Sequence, residues 1–185
     1  MKNQIISLLV IIFLFNSFNS YSSENNWNPA QEGDKIIMIR HALAPGGGDP
    51  KGFKLGDCKT QRNLDEIGIN QSKKIGKLFK EKQIKIDQVL SSQWCRCKDT
   101  AKYAFENFKE FSALNSTFSP PFDKNEKNQI KELKNFVKKW DGKGKNLVLV
   151  THYVVILAMT GQASSSGELI ITDKDFNVLS KINTF

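Results

Sequence analysis

The chain has 185 residues, 39% of them hydrophobic and 25% charged, with a formal net charge of +8. Such a length and balance suit one globular domain with a continuous core and exclude a chain dominated by disorder or low complexity. Surplus positive charge favours anionic ligands, but the lysines are scattered without interleaved aromatics, which argues against nucleic-acid binding.

At the N-terminus, Lys2 precedes an apolar run from Ile5 to Phe15, and a polar, Ser-rich stretch follows. This reads as a secretory signal over residues 1–22, leaving a single domain over residues 23–185. The run falls short of the roughly 20 apolar residues that span a bilayer, so a retained anchor is the alternative. Cleavage after Ser22 removes Lys2 and no acidic residue, and no cysteine lies nearby to carry a lipid. The expectation is a periplasmic or secreted protein that meets membrane only through the uncleaved segment. Its cysteines, Cys58, Cys95 and Cys97, would then meet an oxidising compartment. Cys95 and Cys97 are too close to pair easily, so a bridge from Cys58 to one of them is expected. A Cys-x-Cys metal site would need further ligands, and the chain has only two histidines, so no metal or cofactor is expected.

Lys35 to Ile39 is a short apolar run that suits a strand buried on both faces. Pro45-Gly46-Gly47-Gly48-Asp49-Pro50 is a loop by its turn residues; lacking a Lys-Ser/Thr and a following helix, it is no nucleotide-binding P-loop. Asp65 is an N-cap for a helix to about Gln83 that buries Ile75, Leu78 and Phe79, with Gly68 and Gly76 allowing close approach to a sheet. Asp87 to Leu90 forms a second strand ending at Ser91-Ser92, and Trp94 to Phe108 a helix with Ala101, Ala104 and Phe105 inward. Phe111 to Phe122 reads as a loop. Ile130, Leu133, Phe136, Val137 and Trp140 give Asn125 to Trp140 helical spacing. A third strand, Asn146 to Thr151, leads to His152, a helix over Tyr153 to Thr160 stops at Gly161, and Gly167–Thr172 with Asn177–Ile182 makes a terminal hairpin. The order is α/β, with helices on both sides of a mostly parallel sheet.

In such folds ligands bind at the carboxyl ends of strands. His41 and His152 each follow a strand, Arg40 adjoins His41, and Arg96 follows the strand ending at Ser91-Ser92. Arginine grips phosphate oxygens with a planar fork and keeps its charge. A neutral imidazole can attack phosphorus and hold the phosphoryl group, and arginines beside it disfavour the imidazolium. A second histidine can stabilise charge on a phosphoryl oxygen. Arg96 could instead pair with Asp99 or Glu106, and Arg62 is either a substrate-contacting cation or a helix-entry salt bridge. Trp94 and Trp140 read as packing residues.

These blocks resemble the histidine phosphatase (phosphoglycerate mutase-like) superfamily. Arg40-His41-Ala42 follows the first strand, and Arg62-Asn63-Leu64-Asp65-Glu66-Ile67-Gly68 opens the first helix. Ser91-Ser92-Gln93-Trp94-Cys95-Arg96 comes next with Thr100-Ala101 beyond, and Thr151-His152 follows the third strand. The resemblance implies a three-layer α/β/α domain and a metal-independent phosphomonoesterase. His41 would be the nucleophile, and Arg40, Arg96 and His152 would form the phosphate pocket. The export signal looks most like a periplasmic branch, with a phosphorylated small molecule or envelope component as substrate. Two departures stand out: Ala42 replaces the usual glycine, and the segment Leu114 to Phe122, where many members carry an acidic proton donor, offers Asn115 and no carboxylate. Asp49, Asp57, Asp123 and Glu168 are the remaining candidates, and none stands out. A domain that binds phosphate ligands of the envelope with little or no turnover is therefore the alternative.

Overall fold

The computed structural model describes residues 25–185. The expected signal segment lies outside them. Among the described residues no helix is long and apolar enough to cross a membrane.

Six strands form one sheet in the order β3-β2-β4-β1-β5-β6: β1 (Ile36–Arg40), β2 (Ile86–Ser91), β3 (Lys109–Glu110), β4 (Asn146–Thr151), β5 (Leu169–Thr172) and β6 (Val178–Ile182). Every residue of β4 is buried, as a central strand covered on both faces requires. Side chains alternate between the faces. Ile37, Ile39, Val148 and Val150 pack with α1 (Asn28–Glu32), α2 (Glu66–Glu81) and α3 (Cys95–Phe105). Ile36, Met38, Leu147 and Leu149 pack with α4 (Glu126–Lys139) and α5 (Tyr153–Thr160) on the other face.

The sheet is mixed, where the sequence led to a mostly parallel expectation. β1, β2, β3 and β4 pair in parallel, but β5 runs antiparallel to β1 and to β6. The cause is local. After α5 the chain returns to the carboxyl end of β1, where the Gly167 N–H donates to the carbonyls of Arg40 and His41. A strand that starts there must run backwards, and the turn at residues 173–177 then closes the hairpin.

Asp65 caps α2 as expected, accepting a hydrogen bond from the Gly68 N–H at 2.8 Å. The two helix glycines serve approaches other than to the sheet. A Cβ on Gly68 would lie 2.0 Å from the Leu43 carbonyl oxygen, just past His41, and one on Gly76 would lie 2.1 Å from the Ala104 carbonyl oxygen of α3. α3 ends at Phe105, three residues short of the expected boundary, because Glu106 takes a positive φ of 66°. The two-residue strand β3 and the short helix α1 lie in stretches whose sequence gives no clear periodicity. Cys58 bridges to Cys95, and Cys97 is free and buried.

Candidate active site

Parallel register sets the histidines side by side. Arg40 pairs with Thr151 at the ends of β1 and β4, so the next residues, His41 and His152, leave the sheet together. The His41 N–H donates to the Thr151 carbonyl at 3.0 Å. On the other side of β4, the Ser92 N–H donates to the Val150 carbonyl at 2.9 Å, which aligns the end of β2 with them. The two imidazole rings lie 5.6 Å apart, centre to centre, and both are buried.

His41 Nδ1 lies 2.8 Å from the Ala42 carbonyl oxygen. A carbonyl only accepts, so Nδ1 carries the hydrogen and Nε2 keeps its lone pair. Burial holds the His41 pKa well below its ordinary value, and the charges of Arg96, Arg62 and Arg40 push it the same way against the raising effect of its bond to the Ala42 carbonyl. His41 is thus a neutral imidazole with a bare Nε2. Ala42 is fully buried and donates its N–H to Thr100 Oγ1 at 2.9 Å, so its methyl is accommodated where the resembled pattern has glycine.

Arg40, Arg62 and Arg96 converge on the same cavity. Each is anchored through Nη1: Arg40 to the Ser164 carbonyl at 2.7 Å, Arg62 to the Ala44 carbonyl, and Arg96 to Asp49 Oδ1 at 2.8 Å. In all three the Nε–H is buried with no hydrogen-bond partner among the described residues. Buried unpaired donors are costly, and three of them around two neutral imidazoles suit an anion with several acceptor oxygens. Burial lowers the pKa of Arg40 and of Arg62, yet both remain cations at any physiological pH. Arg96 pairs with Asp49, not with Asp99 or Glu106, because its side chain turns inward and is almost fully buried.

Asp49, one of the four carboxylates the sequence offers as a proton donor, instead anchors Arg96, a pairing the sequence does not reveal. Its Oδ1 accepts from Arg96 and from the Arg62 backbone N–H at 3.1 Å, and its Oδ2 accepts from Trp94 Nε1 at 3.0 Å. The glycine loop before it lines the cavity through Gly46, Gly47 and Gly48. Trp94 does pack in the core, as expected, but it also forms the cavity wall with Phe53 and Phe122, 5.4 Å from the His152 ring. The cavity encloses about 220 Å³, room for a phosphate and the first atoms of its leaving group.

His152 Nε2 lies 2.9 Å from Ser92 Oγ and 3.4 Å from Cys97 Sγ. Burial lowers its pKa well below the ordinary value, helped by Arg96, His41, Arg62 and Arg40. Burial also pushes the Cys97 thiol up to about 12, so it is inert as a nucleophile. The proton-donor candidates are accounted for elsewhere. Asp57 accepts from Lys59 N–H on the surface, Asp123 from Lys124 N–H, and Glu168 from Ser165 N–H while pairing with Lys181. Asp49 alone of them lines the cavity, with both oxygens occupied as acceptors. Asn115 is buried and bonded to Ser92 and Gln93. Among the described residues no cluster of three or more His, Cys, Asp or Glu is placed to hold a metal ion.

No family model matches the chain, and no curated protein matches its sequence. Solved structures do match its backbone. The protein histidine phosphatase SixA in complex with tungstate aligns over 81% of this chain and 97% of its own, at 12% identity and a TM-score of 0.54. The fold is that of the histidine phosphatases. A SixA phosphohistidine-phosphatase candidate from Agrobacterium tumefaciens aligns over 81% of this chain and 98% of its own, at 17% identity and a TM-score of 0.56. An alpha-ribazole-5'-P phosphatase candidate from Escherichia coli K-12 covers 82% and 97%, at 13% identity and a TM-score of 0.58.

Proposed function

We propose that this chain is a metal-independent phosphomonoesterase that works through a phosphohistidine on His41. The observation that carries the reading is the set of three anchored arginines, each with an unpaired Nε–H among the described residues, that line one cavity with a neutral imidazole whose Nε2 keeps its lone pair. Arg40, Arg96 and Arg62 would bind the phosphoryl oxygens, and His152 would stabilise charge as it builds on them. His41 Nε2 would attack phosphorus, the ester oxygen would depart, and water would then release phosphate from His41. The shared fold with SixA and with the alpha-ribazole-5'-P phosphatase candidate supports phosphate-ester chemistry at this position.

The substrate is a phosphorylated small molecule or envelope component. Residues 1–22 act as an export signal, and the Cys58–Cys95 bridge suits a periplasmic or secreted location. The decisive test incubates the protein with a radiolabelled phosphate ester and quenches it. Acid-labile phosphate on wild type, absent from His41→Ala, is the expected result. Tight phosphate-ester binding with neither phosphoenzyme nor release of phosphate would favour instead the envelope-ligand-binding module, a reading supported by the occupied oxygens of Asp49, the cavity's carboxylate among the described residues.

A further inference from the structure

A reaction of this kind needs a proton for the departing oxygen, and among the described residues the carboxylate that lines the cavity, Asp49, has both oxygens occupied as acceptors. The hydrogen bonds around His152 supply an alternative. The Gln93 backbone N–H lies 2.9 Å from Asn115 Oδ1, so that atom is an acceptor and the side-chain amide orientation is set. Asn115 Nδ2 completes the lock by donating to Gln93 Oε1 at 2.8 Å. Ser92 Oγ lies 3.2 Å from the same Oδ1, and an amide oxygen cannot donate, so the single hydroxyl hydrogen of Ser92 goes to Asn115. Ser92 Oγ is left as an acceptor, taking the Trp94 N–H at 3.3 Å and His152 Nε2 at 2.9 Å. His152 Nε2 must therefore carry hydrogen. Its Nδ1 forms no side-chain cap on α5 and has no hydrogen-bond partner among the described residues, while the residue itself lines the cavity. The two histidines are thus held in opposite tautomers, His41 with hydrogen on Nδ1 and His152 with hydrogen on Nε2.

We infer that Asn115 and Ser92 are positioning residues that hold His152 as the Nε2–H tautomer, so that its bare Nδ1 carries the reaction's proton. The inference rests on the phosphatase reading above. A phosphate monoester keeps one phosphoryl proton below about pH 6, and that proton passes to His152 Nδ1. The lone pair of His41 Nε2 then forms the P–N bond as the P–O bond to the leaving group breaks. The freed oxygen takes the proton from His152 Nδ1. In the second half, water attacks phosphorus and gives one proton to His152 Nδ1, and the P–N electron pair returns to His41 Nε2. The proton leaves with the phosphate product. The groups that face His152 are Arg40, Arg62, Arg96 and His41, with the Cys97 thiol behind it. All the charged ones are cations, so a bound phosphate dianion offsets them and restores the imidazole's affinity for a proton.

The chain has only two histidines, which makes the tautomers directly measurable. In 15N-histidine-labelled protein at neutral pH, NMR should place hydrogen on Nδ1 of His41 and on Nε2 of His152, with assignments from His41→Ala and His152→Ala. Ser92→Ala should leave His41 unchanged and release His152 into a mixture of both tautomers. Hydrogen on Nδ1 of His152 in the wild type overturns the inference. Kinetically, His152→Ala should lower kcat/KM, which reads the phosphorylation half alone, at least about tenfold more for an alkyl phosphate than for para-nitrophenyl phosphate, whose leaving group needs no proton. Equal lowering for the two also overturns it. Absent turnover in the wild type would bring down the phosphatase reading and the proton role together, whereas turnover with the wrong tautomer brings down the proton role alone.

Discussion

Replacing Arg96 by lysine separates charge from geometry at the centre of the cavity. In the native protein Asp49 holds Arg96 Nη1 at 2.8 Å, and the Arg62 carbonyl lies 3.5 Å from the same nitrogen. With that end fixed, the buried Nε–H, which has no partner among the described residues, forms with the adjoining Nη2 an edge suited to two phosphate oxygens at once. Lysine keeps the charge but places one ammonium where the fork had two ends. Asp49 sits in the same low-exposure site and holds the ammonium as an ion pair, so the substituted side chain keeps its carboxylate and loses the fork. Losing one charge-assisted bond costs about 1.5–3 kcal/mol, which corresponds to a fall in kcat/KM of about ten- to 150-fold. The assay is kcat/KM for para-nitrophenyl phosphate, with inhibition by inorganic phosphate as a measure of the ground state. Thermal unfolding should move little because the Asp49 pair survives. A variant within about threefold of wild type, inhibited equally by phosphate, would refute the bidentate role.

Four further outcomes follow from the same geometry. His41→Ala should cut turnover by about a thousandfold or more while circular dichroism stays native; retained activity would remove the nucleophile assignment. Both histidines are buried with lowered pKa values, so below about pH 6.5 the unfolded chain binds protons that the folded one does not. Stability should therefore fall as pH drops below that value, by up to about 1.4 kcal/mol per pH unit for each histidine; urea midpoints at pH 7.5 and 5.5 measure it, and removing either histidine should flatten the slope. Cys58→Ser with Cys95→Ser opens a loop with a sequence separation of 37, worth about 3–4 kcal/mol of stability, and should raise KM because Cys95 adjoins Arg96. Gly68→Ala would gain about 1 kcal/mol in an ordinary helix. Here it should lose about 2 kcal/mol or more in urea unfolding, because its methyl meets the Leu43 carbonyl at 2.0 Å.

The parts of this protein that were legible in its sequence are those fixed by local chemistry. An apolar run followed by Arg40-His41, and another followed by His152, announced two strand ends, and the β1–β4 register then set the two side chains together. Asp65 announced its helix because an N-cap acts within three residues. The mixed sheet was less legible. Its hairpin was visible, but its direction depends on Gly167 returning to the carbonyls of Arg40 and His41, a contact across the fold. Likewise, the pairing of Cys58 with Cys95 over Cys97 turned on which face of α3 meets the loop, and Cys97 points at His152 instead.

The same distinction explains why the proton donor was the hardest part to read. A search for it along the chain looks for a carboxylate, and the segment from Leu114 to Phe122 has none. Asp49 is in the cavity but lies 47 positions from Arg96, the cation that claims it, and nothing local predicts that pairing. Asn115 looked like a gap in the pattern, yet its amide orients Ser92, 23 positions away, and Ser92 orients His152, 60 positions further on. A residue that cannot itself give up a proton thus governs the one that can. Replacing Asn115 by leucine would leave the hydroxyl hydrogen of Ser92 free to turn toward His152 Nε2. The imidazole would then hold its hydrogen on Nδ1, facing the phosphate as a donor and no longer able to take a proton. On this argument Asn115→Leu should resemble His152→Ala in kcat/KM for alkyl phosphates and wild type in kcat/KM for para-nitrophenyl phosphate, and equal losses of kcat/KM on both substrates would return Asn115 to a purely structural role.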